Sequence, residues 1–165
     1  MEICGIFERY LSSTESDKYK FIFGNVPSSA DFAFYGQMAQ FRVDMTPNYI
    51  LREKYPNLYC WLYEMDDLSG NVGDVRVDVK ITKLAQDLME FCSRVYLPFL
   101  NANYDALRRR DERMMVDLSI KGSRFKHTQK PFKWQGRCLE VLRKKFNALN
   151  QNGNNEDYVV LNELL

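Results

Sequence analysis

Pro27-Ser28-Ser29-Ala30-Asp31-Phe32 is the stretch on which the fold of this chain turns. Ser28 is a helix N-cap residue whose oxygen can take a free amide of the first turn, and Asp31, three residues on, can reach back to the Ser28 amide. Asp stands here in place of the more usual Glu or Gln of a capping box, and its charge suits the positive end of a helix. Pro27 and Phe32 occupy the positions of a hydrophobic staple across the helix entry. Just upstream, Gly24-Asn25 is a turn signal. Downstream, Phe34, Tyr35, Met38, Ala39, Phe41 and Val43 put apolar groups nearly all round the helix, which predicts that it is central and buried.

Working outward, Ile3, Phe7, Tyr10 and Leu11 fall at helical spacing and predict a short amphipathic helix, ended by the polar run from Ser12 to Asp17. Thr46-Pro47-Asn48 reads as a break. A second helix follows, opened by Pro56 and carrying Leu58, Trp61, Leu62 and Met65. Gly70 and Gly73 mark a loop before a long stripe of Leu84, Leu88, Phe91, Cys92, Val95, Phe99 and Leu100, which Pro98 should kink. After Arg108-Arg109-Arg110 the period changes to two. Val116, Leu118 and Ile120 alternate with polar residues up to a Lys121-Gly122 turn, predicting a hairpin in which Leu118 faces Phe125 and Asp117 opposes Lys126. Such a hairpin must dock on the helices to be stable. A final helix packs through Trp134, Cys138, Leu139, Leu142 and Phe146, ahead of an asparagine-rich linker at 150–155 and a tail at 158–165. The predicted fold class is mostly α, a helical bundle with a small β-hairpin near its C-terminal part. It forms one domain over 1–165, in which 113–165 is a hairpin plus terminal helix extension.

At 165 residues the chain is long enough to bury a core as one domain. With 45% hydrophobic and 27% charged residues it belongs with ordinary globular proteins rather than disordered or fibrous ones. The formal charge is only +1, but it is unevenly spread: residues 1–70 hold 6 Lys/Arg against 10 Asp/Glu, and residues 71–165 hold 17 against 12. Between Arg108 and Lys145 there are 13 basic residues and only Asp111, Glu112, Asp117 and Glu140 as acids, a segment that would attract an anionic partner. Because these bases alternate with apolar residues expected to pack inward, a solvated outer face is the expected meaning. Nucleic acid and membrane are therefore not expected partners. Cys4, Cys60, Cys92 and Cys138 are scattered, lack metal-ligand spacing and are expected to be reduced and packed. Charged residues interrupt the first twelve positions, so no secretory signal is expected, and the cytoplasm is the expected compartment.

The capping box, its helix and the Pro56 to Met65 helix together resemble the C-terminal helical domain of the glutathione transferase superfamily. There, a Ser or Thr cap followed three residues on by Asp opens a central helix after a Gly-containing turn, as Gly24 and Ser28 to Asp31 do here. Pro56, Leu58 and Cys60-Trp61 resemble the family's P-x-L-x-x-W segment. Tyr96-Leu97-Pro98-Phe99-Leu100 and Pro131-Phe132-Lys133-Trp134-Gln135 look like the tail of transferase-like proteins. The family normally begins with a thioredoxin-like domain that holds glutathione. Here about a dozen residues precede the polar break, so the resemblance implies an N-terminally truncated helical domain.

What the resemblance implies for function is a half that contributes a pocket for a hydrophobic co-substrate, or a protein-docking surface, without conjugating glutathione alone. No cofactor is expected on this chain by itself, and glutathione is expected only if a thioredoxin-like domain is supplied. Expected partners are such a domain, a second copy of the chain or a hydrophobic small molecule. Tyr35, Tyr96, Asn103 and Tyr104 are the substrate-pocket candidates, with Ser28 and Asp31 as the structural capping pair and no catalytic or metal-binding residue assigned. Asn103 can instead satisfy backbone groups freed by Pro98. Cys4 lacks the cationic setting that lowers a thiol pKa, and His127, the only histidine, lies in the predicted hairpin as an edge or surface residue. The alternative functions are a non-catalytic interaction module, or a nucleic-acid-binding domain using residues 108–145.

Overall fold

The computed structural model describes residues 2–68, 78–120 and 122–151. The Gly70 and Gly73 loop, Lys121, most of the asparagine-rich linker and the 158–165 tail lie outside them. The chain divides into two compact units, Met1–Leu88 and Met89–Leu165, with the division falling within a helix. The described residues are mostly helical, with one two-stranded antiparallel sheet.

In the first unit, α1 (Glu2–Leu11) buries Cys4, Ile6, Phe7 and Tyr10, which follows from their helical spacing. Phe7 stacks on Phe34 of α2 (Ser29–Val43) with ring centres 3.9 Å apart, and Trp61 of α4 (Pro56–Asp66) leans on both rings. Pro56 opens α4 as expected, and Leu58, Trp61, Leu62 and Met65 form its buried stripe. Tyr55 offers α4 no side-chain cap. Glu8 of α1 supplies one instead: its carboxylate accepts from the amides of Asn57 at 3.2 Å and Leu58 at 3.0 Å.

Two expectations for this unit are corrected. The helix α2 is not buried all round: only Asp31 and Met38 are buried, while Phe32, Phe41 and Val43 are exposed. Apolar residues spread around a helix define no single face, and here the neighbours α1, α3 and α4 cover only one side. Thr46-Pro47-Asn48 is not a break either, but the first turn of α3 (Met45–Lys54). Asp44 caps it, accepting from the Thr46 amide at 2.9 Å, and a proline within the first turn lacks only an amide that would have no helical partner.

The helix α5 (Lys83–Phe91), in which the division falls, runs into a π-helical turn, Cys92–Tyr96, and then α6 (Leu97–Arg109) of the second unit. Pro98 was expected to kink one long helix. It lies instead in the first turn of α6, and the distortion is taken up by the preceding π turn, in which the Leu97 amide donates to the Cys92 carbonyl. Leu100, Asn103 and Ala106 form the buried stripe of α6. Arg110 ends it in the left-handed region at φ 61°, its amide donating to the Ala106 and Leu107 carbonyls.

The hairpin forms as expected. Strands β1 (Met114–Ile120) and β2 (Ser123–Gln129) pair with Leu118 opposite Phe125 and Asp117 opposite Lys126, and Gly122 takes φ 78° in the turn. Met114 and Leu118 face inward, β1 packs on α6 and the π turn, and Arg94 donates to the Ser119 carbonyl at 2.6 Å. The last helix, α7 (Lys133–Gln151), packs on α6 through Gly136 and Leu139. Its expected packed face is corrected: Trp134, Cys138 and Leu142 are exposed and Phe146 is half-buried, because a helix lying along one neighbour buries one narrow stripe. The cysteines are all free thiols, but only Cys4 is packed away; Cys60, Cys92 and Cys138 are exposed.

Candidate functional site

Ile22 is the point on which the first unit is pinned. Its amide donates to Asp31 Oδ1 at 2.9 Å, and its carbonyl accepts from Thr82 Oγ1 at 2.6 Å. Asp31 and Thr82 are both wholly buried. The second Asp31 oxygen accepts from the Ser28 amide at 2.8 Å and the Ser28 hydroxyl at 2.7 Å, so the capping box predicted for α2 is present and also reaches outside its own helix. Thr82 Oγ1 in turn accepts from the Ala85 amide at 3.1 Å and caps α5. A buried carboxylate is tolerated only when donors surround it, and three do so here. Gly24 makes the approach possible: at φ 129° it bridges Val79, and a Cβ in its place would fall 2.1 Å from the Asp78 carbonyl oxygen. Sequence reasoning saw Ser28, Asp31 and the Gly24 turn but missed Thr82, whose only local signal is a helix-capping residue type ahead of Lys83-Leu84-Ala85.

Tyr35 belongs to a second cluster in the same unit. Its hydroxyl donates to the Asp66 carboxylate, and Arg42 binds both: its guanidinium is 2.6 Å from Asp66 Oδ2 and donates to the Tyr35 oxygen at 3.3 Å. The Arg42 guanidinium also lies 4.8 Å from the Tyr63 ring centre, and the Tyr63 hydroxyl meets that of Tyr59 at 3.1 Å. The Tyr63 phenol is pushed up chiefly by that bond to Tyr59. The polar end of Tyr35 is thus committed to tying α2 to the end of α4.

The other three candidates lie in the second unit. Asn103 is wholly buried, and both ends of its amide are used on one residue, donating to the Phe132 carbonyl at 3.0 Å and accepting from the Phe132 amide at 2.8 Å. It therefore clamps the entry to α7, not the groups near Pro98. Tyr104 is half-buried beneath the guanidinium groups of Arg143, at 5.1 Å, and Arg108, at 6.0 Å. Tyr96 remains partly exposed, and burial of its hydroxyl, then the nearby thiols of Cys138 and Cys92, push its phenol up. Tyr35 thus belongs to the first unit and these three to the second.

Cys4 is 4% exposed on the packed face of α1. Although Cys92 is exposed as a residue, partial desolvation of its sulfur pushes the thiol up. Burial also pushes the Tyr10 phenol up to about 12, while its hydroxyl donates to the Tyr19 carbonyl at 2.5 Å. His127 is half-buried beside the Phe99 ring, with Nε2 3.3 Å from Gln129 Oε1. Among the described residues no group of three or more His, Cys, Asp or Glu side chains could hold a metal ion, and no helix is long and apolar enough to cross a membrane. A shallow, open depression on the hairpin is lined by Asp117, Leu118, Ser119, Arg124, Phe125 and Lys126. No family model, curated protein or solved structure matches the chain.

Proposed function

We propose that this chain is a glutathione transferase-like C-terminal helical half whose role is docking, with a thioredoxin-like domain as the partner its family resemblance implies. The observation that carries the resemblance is the wholly buried Asp31, held by Ser28 and the Ile22 amide directly after the Gly24 turn. Docking is favoured over a preformed co-substrate pocket because Tyr35 spends its hydroxyl on Asp66 and Arg42, and Asn103 spends its amide on Phe132. The surface offered is the junction of α2 and α3, where Val43, Met45 and Tyr49 are 84%, 88% and 66% exposed. On this reading glutathione, a hydrophobic co-substrate and any conjugation belong to the assembled protein. The chain is a cytoplasmic subunit or segment.

Calorimetric titration of the chain with glutathione, with a conjugation assay on the same sample, tests the non-catalytic part; neither heat nor turnover is expected. Saturable binding with turnover by the chain alone would overturn it. Sedimentation at high concentration with an apolar-surface dye tests the docking part, and self-association with dye binding is expected. A strictly monomeric profile without dye binding would overturn that part.

A further inference from the structure

Phe125, Phe132 and Trp134 interleave with the basic residues of the segment from Arg108 to Lys145, which raises the nucleic-acid alternative to a solvated face, and the structure leaves all three exposed. Phe125 is 42% exposed, Phe132 52% and Trp134 65%. Phe125 shares the Leu118 face of the hairpin, with Arg124 and Lys126 on the other face, but from the end of β2 into α7 rings and exposed cations alternate: Lys130 and Lys133 bracket Phe132, and the Arg137 guanidinium is 6.0 Å from the Trp134 ring centre. Among the described residues from Arg108 to Lys145, Arg109 alone stands in an ion pair, with Asp111. Asp117 opposes Lys126 across the hairpin and offsets part of its charge. The Phe132 backbone is fixed by the buried Asn103 while its ring stays in solvent, and Gln129 Nε2, 3.4 Å from Gln135 Oε1, links the strand end to the helix start. An exposed ring on a rigidly held backbone loses little freedom when something stacks on it.

We propose that residues 130–137 form a track for single-stranded nucleic acid, in which Phe132 and Trp134 stack on bases while Lys130, Lys133 and Arg137 meet phosphates. Separated aromatic rings, each next to a cation, match the alternation of base and phosphate along a strand. A membrane surface calls for one continuous apolar face, and these two rings lie in a loop and in the first turn of a helix with Lys133 between them. This inference is independent of the family reading proposed above.

The test is fluorescence anisotropy of the full chain with a labelled uridine or thymidine oligomer, over a range of salt. Binding is expected with a slope of log K on log salt of roughly −2, for three phosphate contacts. Trp134→Ala is expected to weaken it about tenfold or more. Because Trp61 is only 2% exposed, quenching of tryptophan emission on binding is expected to come from Trp134 and to vanish in that variant. Should Trp134→Ala shift the unfolding midpoint, the double variant Lys130→Gln/Lys133→Gln, at two exposed positions, carries the test; it is expected to flatten the salt slope by about 1 to 1.5. The proposal is overturned by no binding at low salt, by an unchanged affinity in Trp134→Ala and an unchanged slope in the double variant, or by tighter binding to duplex DNA or to phosphatidylserine vesicles than to the oligomer.

Discussion

The two units treat charge in opposite ways. In Met1–Leu88, Lys18, Lys20, Arg42, Lys80 and Lys83 each face a carboxylate within 4 Å, and the buried Asp31 is surrounded by donors. In Met89–Leu165 the cations between Arg108 and Lys145 mostly face solvent, aromatic rings or neutral side chains. The exposed pairs of the first unit contribute little stability individually. They tie up cations of a unit in which 9 Lys/Arg stand against 13 Asp/Glu, so its net field is negative. The second unit, with 14 Lys/Arg against 9 Asp/Glu, has a positive field, and a field of one sign is what draws an oppositely charged partner.

If internal satisfaction is what holds the first unit, the largest damage should come from forcing its pinned loop apart. Gly24→Ala puts a Cβ against the rigid Asp78 backbone at φ 129° and is expected to cost about 3 kcal/mol or more, read as a fall in the urea midpoint. Asp31→Ala, which strands the amides of Ile22 and Ser28, should cost about 3 kcal/mol; Ser28→Ala should cost only about 1 kcal/mol. Asn103→Ala is the matching experiment in the second unit. It should cost about 2 kcal/mol and speed hydrogen exchange in α6 and α7 while leaving α1 and α4 protected. Equal loss of protection in both sets of helices would break the division into two units.

A further effect concerns pH. Tyr10 is buried and its phenol is held at about 12 against an ordinary value of 10.0, so between these limits the unfolded chain gives up a proton that the folded chain keeps. Stability is intact below that window and falls as pH rises through it, by roughly 2 kcal/mol for this group, and Tyr10→Phe should flatten the fall. The smallest effect is the one that most directly contrasts the units. Added salt should stabilise α6 and α7 by less than about 1 kcal/mol by screening their uncompensated cations, with no gain in α1 to α4, as read by residue-level exchange.

Features fixed by neighbours in sequence were legible before the fold. The Ser28–Asp31 box, the Pro56 helix start and the hairpin register each depend on residues a few positions apart, and each appears as expected. What was misread depends on the packing environment. The α2 residues Phe41 and Val43 and the α7 residues Trp134 and Leu142 are apolar, yet each helix has too few neighbours to cover them. Thr46-Pro47-Asn48 looked like a break because Pro47 outweighed the Asp44 cap two residues before Thr46. Of the candidate site, Ser28 and Asp31 were legible as a pair. The long-range partners Ile22 and Thr82, and the use of Asn103 on Phe132, carry no pattern in sequence distance.

The Glu8 cap on α4 bears on the order in which the first unit folds. The donor at Leu58 lies 50 residues along the chain, so α4 cannot be closed at its start until α1 has already docked. Closing so wide a loop costs entropy before it is rewarded, which places this contact late in folding. Glu8→Gln should therefore speed unfolding while leaving the refolding rate nearly unchanged, making the first helix a fastener set last although it is synthesised first.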